Sequence, residues 1–206
     1  MLRVPKKVCE RLKNEVNRYQ KIAASHRERG VSEADTVTVV KDMLADIFGY
    51  DKYVELTSEQ QIRGTFCDLA IKVEGTVRFL IEVKAAGSDL AENHLRQVVN
   101  YGAQHGIEWL VLTNGVDWQI YRLRFSQPID WEQVASFSIN TVDVKTDEDR
   151  NKLFLLCREG LDDEAITKFH RHGQQLNRYT LAQVVQSPPV LKLVRREFRR
   201  LFSGLK

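Results

Sequence analysis

Along the first thirty residues, apolar side chains return every three or four positions. Val8, Leu12, Val16, Tyr19 and Ala23 form one stripe with lysines and arginines elsewhere, and Gly30 stops the pattern. That spacing predicts a long amphipathic helix over residues 5–28. A second helix opens at Ser32, a good N-cap with Asp35 at the capping-box position. It runs to about Phe48 on a stripe of Val37, Val40, Leu44 and Ile47, and Gly49 ends it. The texture then shifts to period two. A short edge strand is expected at Tyr53–Thr57, and Phe66–Val73 and Val77–Lys84 alternate around the turn signal Glu74-Gly75. A helix is expected over about residues 89–105. Two strands follow, Trp109–Thr113 and Trp118–Arg124, joined through Asn114-Gly115, with Val134–Ile139 as a further candidate.

From Asp147 the pattern is helical again. Leu153, Phe154 and Cys157 mark a helix ended by Gly160, Asp162–His172 a second and Leu181–Val185 a third. Pro188-Pro189 precedes a last, basic helix at Val190–Phe202. The order predicts an α/β fold: a central mixed sheet flanked by helices, with helical additions at both ends. The expected divisions are an N-terminal basic helix (1–30), a mixed α/β core (31–145) and a helical C-terminal extension (146–206).

Composition narrows the class. With 206 residues, 43% hydrophobic and 29% charged, the chain can bury a core as one generous domain, or as one domain carrying a small helical appendage. No apolar run is long enough to span a bilayer, and the charged start, Met-Leu-Arg-Val-Pro-Lys-Lys, offers no signal peptide. Cys9, Cys67 and Cys157 are odd in number and far apart, which suits a reducing, cytoplasmic setting and no zinc pattern. Charge is unevenly spread. Residues 1–30 carry nine Lys/Arg against three Asp/Glu, and residues 190–206 carry six against one, so the middle is acidic. Basic ends around an acidic middle suit a protein that grips phosphates and holds a cation, or simply two solvated helix faces.

The chemistry concentrates in Phe66-Cys-Asp-Leu-Ala and, fourteen residues after the aspartate, Ile81-Glu-Val-Lys-Ala. Alternation puts Glu82 and Lys84 on one face, beside the face carrying Asp68 on the neighbouring strand. Two carboxylates and an ammonium within a sheet are costly as core residues but fit around a hard divalent ion that prefers oxygen ligands. Such an ion would acidify a bound water and offset charge on a phosphate, and Lys84 would orient or deprotonate that water. On the following helix Gln97 and Tyr101 stand four apart, and His94 one turn earlier extends their stripe.

An aspartate on one strand, E-x-K on the next and Q-x-x-x-Y on the following helix resembles the PD-(D/E)xK nuclease superfamily. The likeness is closest to the N-terminal nuclease domain of type I restriction enzyme R subunits. Here those positions are Asp68, Glu82, Lys84, Gln97 and Tyr101, and the run from Trp109 to Tyr121 extends the likeness, which covers roughly residues 30–125. Cys67 stands where the proline of the superfamily's name would be.

The resemblance implies a restriction-endonuclease-like core and a Mg²⁺-dependent DNA endonuclease of restriction or defence type, with Mn²⁺ able to substitute. Asp68, Glu82 and the Val83 carbonyl would hold the metal. Lys84, Gln97 and Tyr101 would contact the nucleic acid, and Glu33 would be a further acid from the preceding helix. Glu33 reads equally well as a first-turn acid favoured by the helix dipole. Arg195, Arg196, Arg199 and Arg200 are the phosphate-contact candidates outside the core, unless they are the solvated face of a helix whose Leu193, Val194, Phe198, Leu201 and Phe202 pack inward. No G-x-x-x-x-G-K-[ST] occurs, so no ATP-driven motor is expected in this chain. Two alternatives stand beside the DNA endonuclease. One is a DNA-binding or assembly subunit that needs a partner protein; the other is a nuclease acting on RNA. A homodimer would suit cleavage of both strands.

Overall fold

The computed structural model describes residues 2–62, 65–162, 164–175 and 178–202. It divides into two compact units, Met1–Ile166 and Thr167–Lys206.

The first unit begins with α1 (Lys6–Arg29), which buries all five residues of its predicted stripe and ends at Gly30 in the left-handed region. His26, Arg27 and Arg29 sit in its last turn, where positive charge suits the helix dipole. In α2 (Glu33–Asp46) the Ser32 hydroxyl accepts the Asp35 amide at 3.2 Å, the expected cap. The buried stripe of α2 differs from the expected one. Thr36 is buried with Val40, Met43 and Leu44, while Val37 is half-exposed. Thr36 can occupy an apolar stripe because its hydroxyl donates to the Ser32 carbonyl at 2.8 Å.

The sheet has six strands in the order β1 to β6: Leu56–Ile62, Thr65–Val73, Thr76–Val83, Trp109–Thr113, Asp117–Arg124 and Asp130–Ser138. Only β3 and β4 run parallel; the other neighbours are antiparallel. That parallel step requires a crossover, supplied by α3 (Leu95–His105). Glu74 (φ 50°) and Gly75 (φ 80°) turn β2 into β3, the pair of positive dihedrals a two-residue hairpin favours.

Three boundaries depart from the pattern. The strand expected at 53–57 is displaced to β1, because the Asp51 carboxylate takes the amides of Tyr53 and Val54 and folds that segment into a turn. The helix expected from residue 89 starts at Leu95 after a single 3₁₀ turn, Glu92–His94, leaving 85–91 irregular. The last strand begins at Asp130 rather than Val134, since Arg124 and Asp130 already pair across the sheet.

Both sheet faces are covered. Ala70, Leu80, Leu110 and Tyr121 lie in register and are buried beneath Leu95, Val98 and Tyr101 of α3. The alternating row Leu69, Ile81, Val111 and Ile120 is buried as well, and α2 packs on β3. Beyond it Trp118 stacks on Phe137 (centroids 6.1 Å apart) and meets Phe48 at 5.3 Å, so this tryptophan is a packing residue.

After β6 come α4 (Asp147–Phe154) and α5 (Arg158–Asp162). Gly160 lies inside α5 instead of ending a helix. A Cβ there would meet the Phe154 carbonyl oxygen at 2.1 Å, an approach only glycine permits. Arg11 of α1 joins these parts by donating to the carbonyls of Ile47 and Phe48 and to both Glu159 oxygens. Then α6 (Ala165–Gln175) leads into the second unit, which contains α7 (Arg178–Val185) and α8 (Pro188–Leu201). Among the described residues, no helix is long and apolar enough to cross a membrane.

Candidate active site

The parallel pairing of β3 and β4 fixes where the chemistry sits. Both strands end together, with Val83 beside Thr113, and the Lys84 amide donates to the Thr113 carbonyl at 2.8 Å. Glu82 and Lys84 therefore stand at the carboxyl end of β3, and Asp68 reaches them from β2. One Asp68 carboxylate oxygen accepts the Val83 amide at 2.7 Å, which ties the aspartate to the E-x-K strand between its two charged residues.

Glu82 is 4% exposed. Its Oε1 accepts from Lys84 Nζ at 2.8 Å, and the same ammonium lies 3.5 Å from Glu33 Oε2 in the first turn of α2. Lys84 thus bridges a strand carboxylate and a helix carboxylate, and the four residues Asp68, Glu82, Lys84 and Glu33 form one cluster. Asp35, two residues along, is spent on the helix cap.

Electrostatics follow from burial. Desolvation pushes the Glu82 carboxyl up to about 7; the Lys84 hydrogen bond opposes this, and the Asp68 charge adds to it. Partial burial works against the Lys84 ammonium, but the Glu82 hydrogen bond and the charges of Glu82, Glu33 and Asp68 outweigh it and hold its pKa above the ordinary lysine range. Lys84 is therefore a proton-bearing donor near neutral pH.

The helix-borne candidates are placed differently. Tyr101 is fully buried in the apolar cluster of Cys67, Ala70, Leu80 and Val98, with its ring 4.8 Å from that of His105. Its hydroxyl has no hydrogen-bond partner among the described residues, and burial raises its pKa. Gln97 lies on α3, and its side chain is outside the described residues. Arg195, Arg196, Arg199 and Arg200 lie on α8 in the second unit and are all exposed. The alternative in which the apolar side chains of that helix pack inward is not what the structure shows. Leu193, Val194, Phe198, Leu201 and Phe202 are between 49% and 67% exposed.

The donor set can be tested against a divalent cation. Among the described residues no three His, Cys, Asp or Glu side chains are grouped to hold a metal. The Asp68 and Glu82 carboxylates alone would leave most of the shell to water. That set suits Mg²⁺ or Mn²⁺, which keep several waters, and not a closed zinc site.

The pattern reading missed Thr36, Thr113 and Asn114. All are buried polar residues, and all lie where β3 and β4 end. Asn114 was legible only as half of a turn signal, and Thr36 lay outside the expected stripe of its helix.

Residues 38–137 match the family model described as type I restriction enzyme R protein N terminus (HSDR_N). The matched segment contains Asp68, Glu82, Lys84, Gln97 and Tyr101 and excludes Glu33 and the whole second unit. No curated protein and no solved structure matches the chain.

Proposed function

We propose that this chain is a Mg²⁺-dependent endonuclease that hydrolyses DNA phosphodiester bonds in a restriction or defence setting. The observation that carries this reading is the Asp68–Glu82–Lys84–Glu33 cluster at the end of the parallel strand pair. Burial holds the Glu82 carboxyl up at about 7 even with the Lys84 ammonium 2.8 Å away, so the pair of carboxylates would gain from further positive charge. The family match to the N terminus of a restriction R protein supports the substrate and the setting.

In this reading Asp68, Glu82 and the Val83 carbonyl hold the cation, which supplies charge neutralisation at the phosphate and acidifies water. Asp68 is oriented for this by the Val83 amide. Lys84 keeps its proton and donates to the scissile phosphate or to the attacking water; its raised pKa favours orientation over abstraction of a proton. Glu33 holds the other side of the Lys84 ammonium. The α8 arginines add phosphate contacts that carry no sequence information.

Plasmid nicking by the purified chain, with Mg²⁺ and with EDTA, tests the reading. Nicking that needs Mg²⁺ and is lost by at least about 10³-fold in Asp68→Ala and Glu82→Ala is expected. Unchanged cutting by either variant would refute the assignment. A second reading, a DNA-binding subunit that works only with a partner protein, is favoured by the exposed apolar side chains of α7 and α8. It predicts Mg²⁺ binding and DNA binding without nicking.

A further inference from the structure

The segment leaving Lys84 is held at three points. The Lys84 amide is bound by Thr113 O, the Ala86 amide donates to Thr36 Oγ1 at 3.1 Å, and Asn114 Nδ2 donates to the Ser88 carbonyl at 2.8 Å. Ser88 in turn closes a turn onto Ala85 O at 2.9 Å.

The anchors are themselves fixed. Asn114 Oδ1 accepts the amides of Val116 and Asp117 at 3.0 and 2.7 Å, which locks the β4–β5 turn. Thr113 Oγ1 accepts the Gly115 amide and donates to Asp117 O. Gly115, with φ at +80°, brings that turn against α2: a Cβ there would lie 3.4 Å from Thr36 Cγ2. Thr36 stands one helical turn after Glu33, so a single hydrogen bond links the helix carrying Glu33 to the loop leaving Lys84.

We propose that Thr36 and Asn114 are positioning residues for this site: they clamp residues 85–88 to α2 and to the β4–β5 turn and so hold Lys84 between Glu82 and Glu33. The inference rests on the nuclease reading for its purpose but on hydrogen bonds alone for its geometry. A lysine side chain has four rotatable bonds and settles between two carboxylates only if its backbone is held still. Misplacing such a group costs on the order of 10²-fold in rate without contact with substrate.

Thr36→Val removes the hydroxyl at nearly constant volume, and Thr36→Ser keeps it. Asn114→Asp keeps the acceptor that builds the turn and loses the donor to Ser88. Two readouts are needed, both well below the melting temperature of each variant. The first is the rate of reductive methylation of Lys84 by mass spectrometry, with the exposed Lys6 and Lys72 as internal references. The second is single-turnover plasmid cleavage in Mg²⁺.

In Thr36→Val and Asn114→Asp, Lys84 should be labelled about fivefold or more faster while the reference lysines are unchanged. Cleavage should slow by roughly 10- to 100-fold with DNA affinity retained. Thr36→Ser should behave as wild type in both. Unchanged Lys84 labelling overturns the clamp, and faster labelling with normal cleavage overturns its role in positioning Lys84 for the reaction. If the wild-type chain cuts nothing, the nuclease reading falls, and the labelling alone decides whether the clamp holds Lys84.

Discussion

Glu82 and Tyr101 are equally hidden from water, at 4% and 0% exposure, and both stand at motif positions of the same resemblance. Their surroundings differ completely. Glu82 is tied through Lys84 to Glu33 and feels Asp68, while Tyr101 meets mostly apolar side chains and its hydroxyl has no hydrogen-bond partner among the described residues. Burial alone therefore does not mark a functional polar group. A buried carboxylate needs charged partners to offset its desolvation; a buried phenol among apolar side chains is offset by the burial of its ring. The strand half of the motif carries a constellation, and the helix half, as far as its side chains are described, carries packing.

The largest expected effect on this contrast comes from Lys84. Lys84→Met keeps the stem and removes the ammonium that bridges Glu82 and Glu33. Single-turnover cleavage should fall by about 10²–10³-fold, the range for losing one preorganised donor. The hydrogen bond from Lys84 lowers the Glu82 pKa, so its loss moves that pKa above about 7. In EDTA the Glu82 carboxyl titration, followed by NMR, should shift upward in the variant. An unshifted titration would mean that Lys84 does not govern Glu82.

Much of this arrangement was readable before any coordinates. The five-residue stripe of α1, the Glu74-Gly75 hairpin and the pairing of Asp68 with the E-x-K strand follow from periods of 3.6 and 2, which local sequence records. Glu33 was legible as a further acid or equally as a first-turn acid, and its carboxylate lies 3.5 Å from the Lys84 ammonium. What escaped depends on partners distant in sequence. Thr36 counts as polar in any pattern, and its value lies in an amide fifty residues away. The displaced β1 turned on one Asp51 carboxylate capturing two amides, a local competition that alternation cannot weigh. The alternative of inward-packed Leu193 and Phe198 does not match their exposure, because an amphipathic stripe says that a helix has an apolar face, not that something covers it.

The next effect is on stability and concerns Glu82 in the absence of metal. Its folded pKa of about 7 lies above the ordinary carboxyl value of 4.5, so the folded protein binds this proton more tightly than the unfolded chain. Stability from this group is present below pH 4.5 and is lost as pH rises through 7. Glu82→Gln does not titrate. In EDTA the variant should gain on wild type by up to about 3 kcal/mol at pH 8, and the gap should close toward pH 4.5. Urea unfolding at pH 5 and pH 8 measures it. A gap independent of pH would show that Glu82 is not the strained carboxylate.

The smallest effect is expected at Tyr101, where it tests the other side of the contrast. The resemblance assigns Tyr101 a contact with nucleic acid, and loss of such a contact would slow cleavage. The structure buries the phenol in the α3–sheet core with no partner for its hydroxyl among the described residues. Tyr101→Phe keeps the ring and its packing and removes one unbonded polar atom. Since an unsatisfied buried hydroxyl costs about 1–3 kcal/mol, the variant should be as stable as wild type or more so by up to about 1 kcal/mol. Cleavage should stay within about twofold of wild type, because no contact is lost. A loss of about tenfold or more at unchanged stability would place the hydroxyl in the site. The apolar setting of Tyr101 would then have to open when nucleic acid binds, and the contrast between the two halves of the motif would hold only for the free protein.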